Sequence, residues 1–278
     1  MFRLQAPTRY RLTRAPLAQA LVQVRFPLIA RIQSAEGIAP IQERLRDRYP
    51  YMAQRQEVAL QITPGPTGPT PGVVGGLAWE LTDDGGRMAV ISTGSATLTV
   101  GSAYEGVDDF AERLEQILSV LGEEAGVPRC DRLGVRYLSV AETPPGGETS
   151  WREWFRPELT GWVASNLLDD QTVPEVALSQ IQLRAAAEGP FSGLTPDIRC
   201  AVQHGLVPGG SGIPGIPPIT TTAASYILGL DLSVEAPQAF DAGALRRQFE
   251  ALHREIDAFF RWSLTPQGED HFGFEEVS

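Results

Sequence analysis

The sequence predicts an α+β protein made of two tandem β-α-β-β-β-(β)-α units, antiparallel sheets with long helices packed on one face. Three observations carry this expectation. Val24-Arg25-Phe26 returns as Val135-Arg136-Tyr137, 111 residues later (135 − 24), and a similar order of elements follows each copy. Short runs of alternating apolar and polar residues read as strands. Val107–Leu121 and Ala242–Trp262 carry apolar residues at helical spacing. The composition, 42% hydrophobic and 21% charged over 278 residues, is that of a chain able to bury a core.

In the first half, residues 1–126, Leu21–Leu28 is the opening strand. Ile38, Ile41 and Leu45 place a helix over Ile38–Arg48, ended by Tyr49-Pro50-Tyr51. Strands follow at Glu57–Ile62, Leu77–Thr82, Arg87–Ser92 and Ala96–Val100. The proline- and glycine-rich Pro64–Gly72 reads as a mobile loop. Asp83-Asp84-Gly85-Gly86 reads as a hairpin turn, its glycines supplying positive φ. The helix Val107–Leu121 lines up Phe110, Leu114, Ile117, Leu118 and Leu121, with Asp108 and Asp109 favourably placed in its first turn. Gly122–Pro128 ends it and marks the boundary between halves.

The second half, residues 127–278, begins with the strand Leu133–Val140 and a Pro-Pro-Gly-Gly turn. A helix near Trp151–Leu168 is expected to break around Pro157 or Gly161. Strands follow at Val176–Ala185, Asp197–His204 and Ser225–Glu235. Val207–Pro218 is expected to be a flexible insertion, near residues 205–219. The closing helix presents Leu245, Phe249, Leu252, Ile256 and Phe260 on one face. Side by side, two such units would resemble the layout of the TATA-box-binding or helix-grip folds; the alternative is one continuous α+β domain.

The net charge is −11, and all 23 basic residues are arginine. A phosphate-loop lysine, a Schiff-base lysine and a lysine general base are therefore excluded. A genome favouring arginine codons accounts for this, and avoidance of lysine-directed modification is the alternative. The acidic balance argues against nucleic-acid binding, which needs clustered positive charge. No apolar run reaches the ~20 residues that span a bilayer. The N-terminus lacks a signal-peptide layout. Two cysteines make neither a disulfide framework nor a metal cluster. A cytoplasmic protein is expected, with no membrane contact.

Several segments resemble a sporadically distributed bacterial family of unknown function: Ala20–Phe26, the Trp79 strand, Arg132-Leu-Gly-Val-Arg-Tyr137, Leu230-Asp231-Leu232 and the helix end Leu252–Phe259 with Leu264-Thr265. Ser139 stands where the family pattern has asparagine. The resemblance brings no catalytic residues with it. The family's patchy distribution implies an accessory role in bacteria, such as defence, toxin immunity or a biosynthetic cluster.

A search for chemistry yields little. No two of His204, His253 and His271 have helical zinc spacing. His253 is expected in the core and His271 in an exposed tail, whose acidic residues read as solvated rather than metal-binding. Cys130 and Cys200 read as buried, inert thiols. Cys200 and His204 share a strand face but lie about 13 Å apart at strand rise, too far for a catalytic pair. Gly72–Gly76 and Gly205–Gly215 precede strands rather than helices, so neither is a dinucleotide turn, and no cofactor is expected.

Binding is the stronger expectation. Arg25 and Arg136, each between a valine and an aromatic, point to the sheet face opposite those neighbours. They either bridge to carboxylates such as Glu80, Glu142 or Asp231, or line a gripping surface together with Tyr137. Trp151, Trp154 and Phe155 share a helical face, as core or as a docking surface. The chain is read as a non-catalytic protein-interaction component whose partner is another protein, with self-association into a homo-oligomer also open. The alternative is a ligand-binding or catalytic module with a pocket between sheet and helices, using His204, Arg199 and the 205–218 loop as a lid.

Overall fold

The computed structural model describes residues 1–4, 9–65, 68–143, 151–165, 167–169, 172, 174–185 and 198–276, with backbone alone over 57–65 and 68–75. The chain is mixed α+β, with a large antiparallel sheet and six helices among the described residues. In order these are β1 (Tyr10–Leu12), β2 (Leu17–Arg25), α1 (Ala35–Leu45), β3 (Tyr51–Gly65), β4 (Gly68–Thr82), β5 (Met88–Ser92), β6 (Ser95–Val100) and α2 (Val107–Val120). There follow β7 (Arg129–Cys130), β8 (Arg132–Glu142), α3 (Trp151–Trp154), α4 (Pro157–Thr160), β9 (Ala177–Ala185) and β10 (Ile198–Val207). The remainder is β11 (Gly212–Ile213), β12 (Ile219–Thr220), β13 (Ser225–Val234), β14 (Gln238–Ala239), α5 (Ala242–Ser263), α6 (Pro266–Phe272) and β15 (Phe274–Glu276). No helix is long and apolar enough to cross a membrane.

Two compact units result, neither of them a single stretch of sequence. Unit I comprises Val22–Leu133 and Ala236–Arg247; unit II comprises Met1–Leu21, Gly134–Glu235 and Gln248–Ser278.

Unit I orders its strands β3-β4-β5-β6 followed by the second half of β2. Ser34 starts α1 three residues before the expected Ile38, because its hydroxyl accepts the Gly37 N–H at 3.1 Å as a helix cap. Ile38, Ile41 and Leu45 are then buried in the core, as are Phe110, Leu114 and Leu118 of α2. Each such fully buried side chain stabilises the fold by about 1.5–3 kcal/mol. Trp79 is also buried, and its indole N–H donates to the Ile32 carbonyl at 2.7 Å. Where a mobile loop was expected at Pro64–Gly72, β3 and β4 instead continue as a paired ribbon, with Ile62 opposite Pro71 and Pro64 opposite Pro69. β5 pairs with β4 only over Ala78–Thr82, so among the described residues the distal ribbon has a free edge on which proline's missing N–H costs no ladder bond.

In unit II, β13, β10 and β9 run antiparallel in that order beside β8. The expected helix over Trp151–Leu168 is broken at both anticipated places. Arg156 precedes Pro157 and is steered out of helical conformation, and Gly161 ends α4 with φ +57°. The Pro-Pro-Gly-Gly turn lies outside the described residues. Residues 207–221 are more ordered than their composition suggests. β11 pairs with β12, and Ile213 packs with Leu138, Val207 and Ile227. The Gln19 side chain donates to the carbonyls of Ile216 and Pro217 and accepts the Ile216 N–H.

The expected exposed tail is α6. Thr265 caps it, accepting the Gly268 N–H at 3.0 Å, and the His271 ring stacks on Trp154 with centroids 3.8 Å apart. β1, missing from the sequence reading, pairs with β15.

Candidate functional site

Even-numbered residues of β10 point to one sheet face, and Cys200, Val202, His204 and Leu206 are all buried there or nearly so. Tyr226 of β13 lies opposite Leu206, so its side chain joins the same face diagonally from His204. Above them the broken segment from α3 to Ala164 lays Trp151 and Phe155 on the Tyr226 ring, with centroids at 5.5 and 4.5 Å. A cavity of about 420 Å³ remains between this segment and β9, β10 and β13. Leu159, Val163, Ile181 and Leu206 contribute apolar wall, while Thr160, Ser179 and His204 contribute polar groups. Trp162 and Glu158 stand exposed at its edge. An exposed tryptophan beside a cavity is a ready contact surface.

The polar centre is a chain of two hydrogen bonds. His204 Nδ1 lies 3.0 Å from the Tyr226 hydroxyl, and that hydroxyl donates to the Leu159 carbonyl at 3.2 Å. Burial lowers the His204 pKa below its ordinary value and raises that of Tyr226, so both are neutral near pH 7. Ser179 is the cross-strand partner of His204 and shares its face.

The sequence-derived residues scatter around this site. Trp151 and His204 line it. Trp154 is buried beside it against His271 and Phe272. Arg199, an odd-numbered residue of β10, faces the other way and bridges to Glu235 at 3.2 Å. Of the 205–218 loop expected as a lid, Gly205 and Leu206 line the cavity, whereas Ile213 packs with Leu138, Val207 and Ile227 on the opposite sheet face. Tyr137 is buried against the His253 ring at 5.2 Å, which leaves Arg136 on the other face. Arg25 is exposed and donates to Gln23 at 3.0 Å. Glu80 pairs with Arg55 and Glu142 accepts from Thr222, so neither serves the two arginines as expected. Bridging arginines occur elsewhere: Arg87 and Arg113, both nearly buried, share Asp83 and Asp109, and Arg87 also pairs with Glu105.

Both cysteines are buried free thiols; burial pushes Cys130 up to about 11 and Cys200 up to about 12, so neither is a nucleophile near neutral pH. Among the described residues, no three of His, Cys, Asp and Glu are grouped to hold a metal ion. Tyr226 and Ser179 were not foreseen, since only strand register brings them to His204.

The second feature is β9 itself, which ends its sheet. It pairs with β10 alone among the described residues, and leaves Leu178, Ile181 and Leu183 respectively 52%, 45% and 38% exposed. Val176 and Trp162 extend this apolar surface. Comparison of the sequence with protein-family models and with curated proteins finds no match.

Proposed function

We propose that the chain is a non-catalytic protein-interaction component that takes an extended segment of a partner protein along the outer edge of β9. The observation that carries this reading is an edge strand with apolar side chains exposed on both of its faces. Such an edge offers a row of backbone donors and acceptors, and folded proteins usually blunt it with charge or proline. Only Arg184 supplies a charge within β9. An added strand gains affinity from main-chain hydrogen bonds and specificity from alternate side chains. The partner belongs to the bacterial accessory system that the family resemblance implies. A duplicated β-α-sheet-α ancestry fits the order β2-α1-β3-β4-β5-β6-α2 and its later counterpart from β8 to α5.

Selection from a displayed library of extended peptides, followed by hydrogen exchange, tests the edge. Bound peptides should slow exchange of the Ala177–Ala185 amides, and Leu183→Lys should weaken binding about tenfold by placing a solvated charge on the docking face. Peptides that protect other strands and bind Leu183→Lys equally well would refute the reading.

A further inference from the structure

We infer that the cavity over His204 is a recognition site for a neutral, largely apolar ring that carries one N–H or O–H donor, received by His204 Nε2. The inference goes beyond the edge-strand reading and does not require it.

The proton inventory leads there. The Tyr226 hydroxyl has one proton, and both of its contacts are satisfied together when that proton goes to the Leu159 carbonyl, which can only accept. The contact between His204 Nδ1 and the same hydroxyl then has one consistent assignment, Nδ1–H donating to the tyrosine oxygen. With Nδ1 protonated and the ring neutral, Nε2 keeps a bare lone pair. Nε2 makes no hydrogen bond to a described residue, and His204 lines the cavity. An acceptor held in an apolar wall favours an occupant that brings a donor.

The surroundings exclude charged occupants. An anion would meet the Nε2 lone pair, with the Glu158 carboxylate at the edge. A cation would have to shed its hydration against the apolar wall of Leu159, Val163, Ile181 and Leu206. Trp162 alone stands open, positioned to cover a ring that enters between Leu159, Val163 and Ile181. Ser179, opposite His204, can accept or donate to a second polar atom of the occupant.

Two sources supply this chemistry: a free small molecule, or an indole or phenol side chain from a bound polypeptide. Long-range 1H–15N correlation spectra of the whole chain should show His204 protonated at Nδ1. Titration with indole and phenol should then shift the His204 and Tyr226 resonances saturably. N-methylindole and anisole, which lack the donor, should bind about five- to tenfold more weakly, the worth of one hydrogen bond. His204→Phe should abolish that preference, and Tyr226→Phe, which frees the tautomer, should reduce it. An extended peptide with a central tryptophan that competes with indole assigns the site to a side chain; failure to compete assigns it to a free molecule. An Nε2-protonated tautomer, equal binding of donors and their methylated forms, or no saturable binding would each overturn the inference. Leu183→Lys should leave indole binding unchanged, so loss of the edge reading and loss of this one are separable.

Discussion

Replacing Gly205 by alanine tests the geometry that holds β9 to its sheet. Gly205 has φ +141°, and a Cβ there would lie 1.8 Å from the Ala177 carbonyl oxygen and 3.0 Å from Leu178 Cα. Ordinary contact begins near 3.4 Å, so β9 would have to recede by about 1.6 Å (3.4 − 1.8). The obstruction is backbone, which no rotamer change relieves. The positive φ costs about 1–3 kcal/mol for a residue with a Cβ. Breaking one or two ladder hydrogen bonds adds about 0.5–1.5 kcal/mol each. The expected loss is therefore ~1.5–6 kcal/mol, concentrated in unit II. Trp151, Trp154, Trp162 and Trp262 all belong to that unit, so urea unfolding followed by tryptophan fluorescence reports it. Gly212→Ala is the control, because its Cβ would meet nothing within 4 Å and its φ is not in the left-handed region; its effect should stay within about 0.5 kcal/mol. Equal unfolding midpoints for the two variants would show that β9 is not held against Gly205 in this way.

Two further outcomes follow from the same contacts. The His204 pKa is depressed by burial, so an unfolded chain takes up a proton first as pH falls. The stability this histidine confers is intact above its ordinary 6.5 and is lost as pH falls from there through the lower folded value. His271, also depressed by burial and by Arg14, acts in the same direction. Stability measured from about pH 7.5 to pH 5 should fall more steeply in the native chain than in His204→Asn; parallel curves would remove His204 from the balance. Trp79→Phe should cost about 1–3 kcal/mol by leaving the buried Ile32 carbonyl without its donor, and an unchanged urea midpoint would contradict that bond.

Elements long enough to show a period were legible from sequence. The apolar stripes of α2 and α5 predicted their spans to within a few residues, and Pro157 and Gly161 marked the breaks after α3. Elements of three residues, β1 and β15, show no period at all, and only their mutual pairing defines them. α6 had a readable start in Thr265-Pro266 with Glu269 in the first turn, and the acidic character of the segment concealed it. The β3–β4 ribbon was hidden for the opposite reason, since prolines are tolerated on a free edge. For the cavity, Trp151 and His204 could be singled out by residue type. Tyr226 could not, because 22 residues separate it from His204 and only the β10–β13 register brings the rings together. The repeated arginines stood out by position, but two of the carboxylates expected to receive them, Glu80 and Glu142, are engaged by Arg55 and Thr222.

The insertion held by Gln19 carries a lesson about conformational entropy. Pro208, Pro214, Pro217 and Pro218 fall within it, and each arrives with its φ already fixed. A segment so restricted loses less freedom on docking than a glycine-serine chain of equal length. Three hydrogen bonds from one glutamine and the burial of Ile213 therefore have little disorder to overcome. Proline content that looks like a mark of looseness in the sequence is, in this segment, what makes a small number of contacts sufficient to fix it.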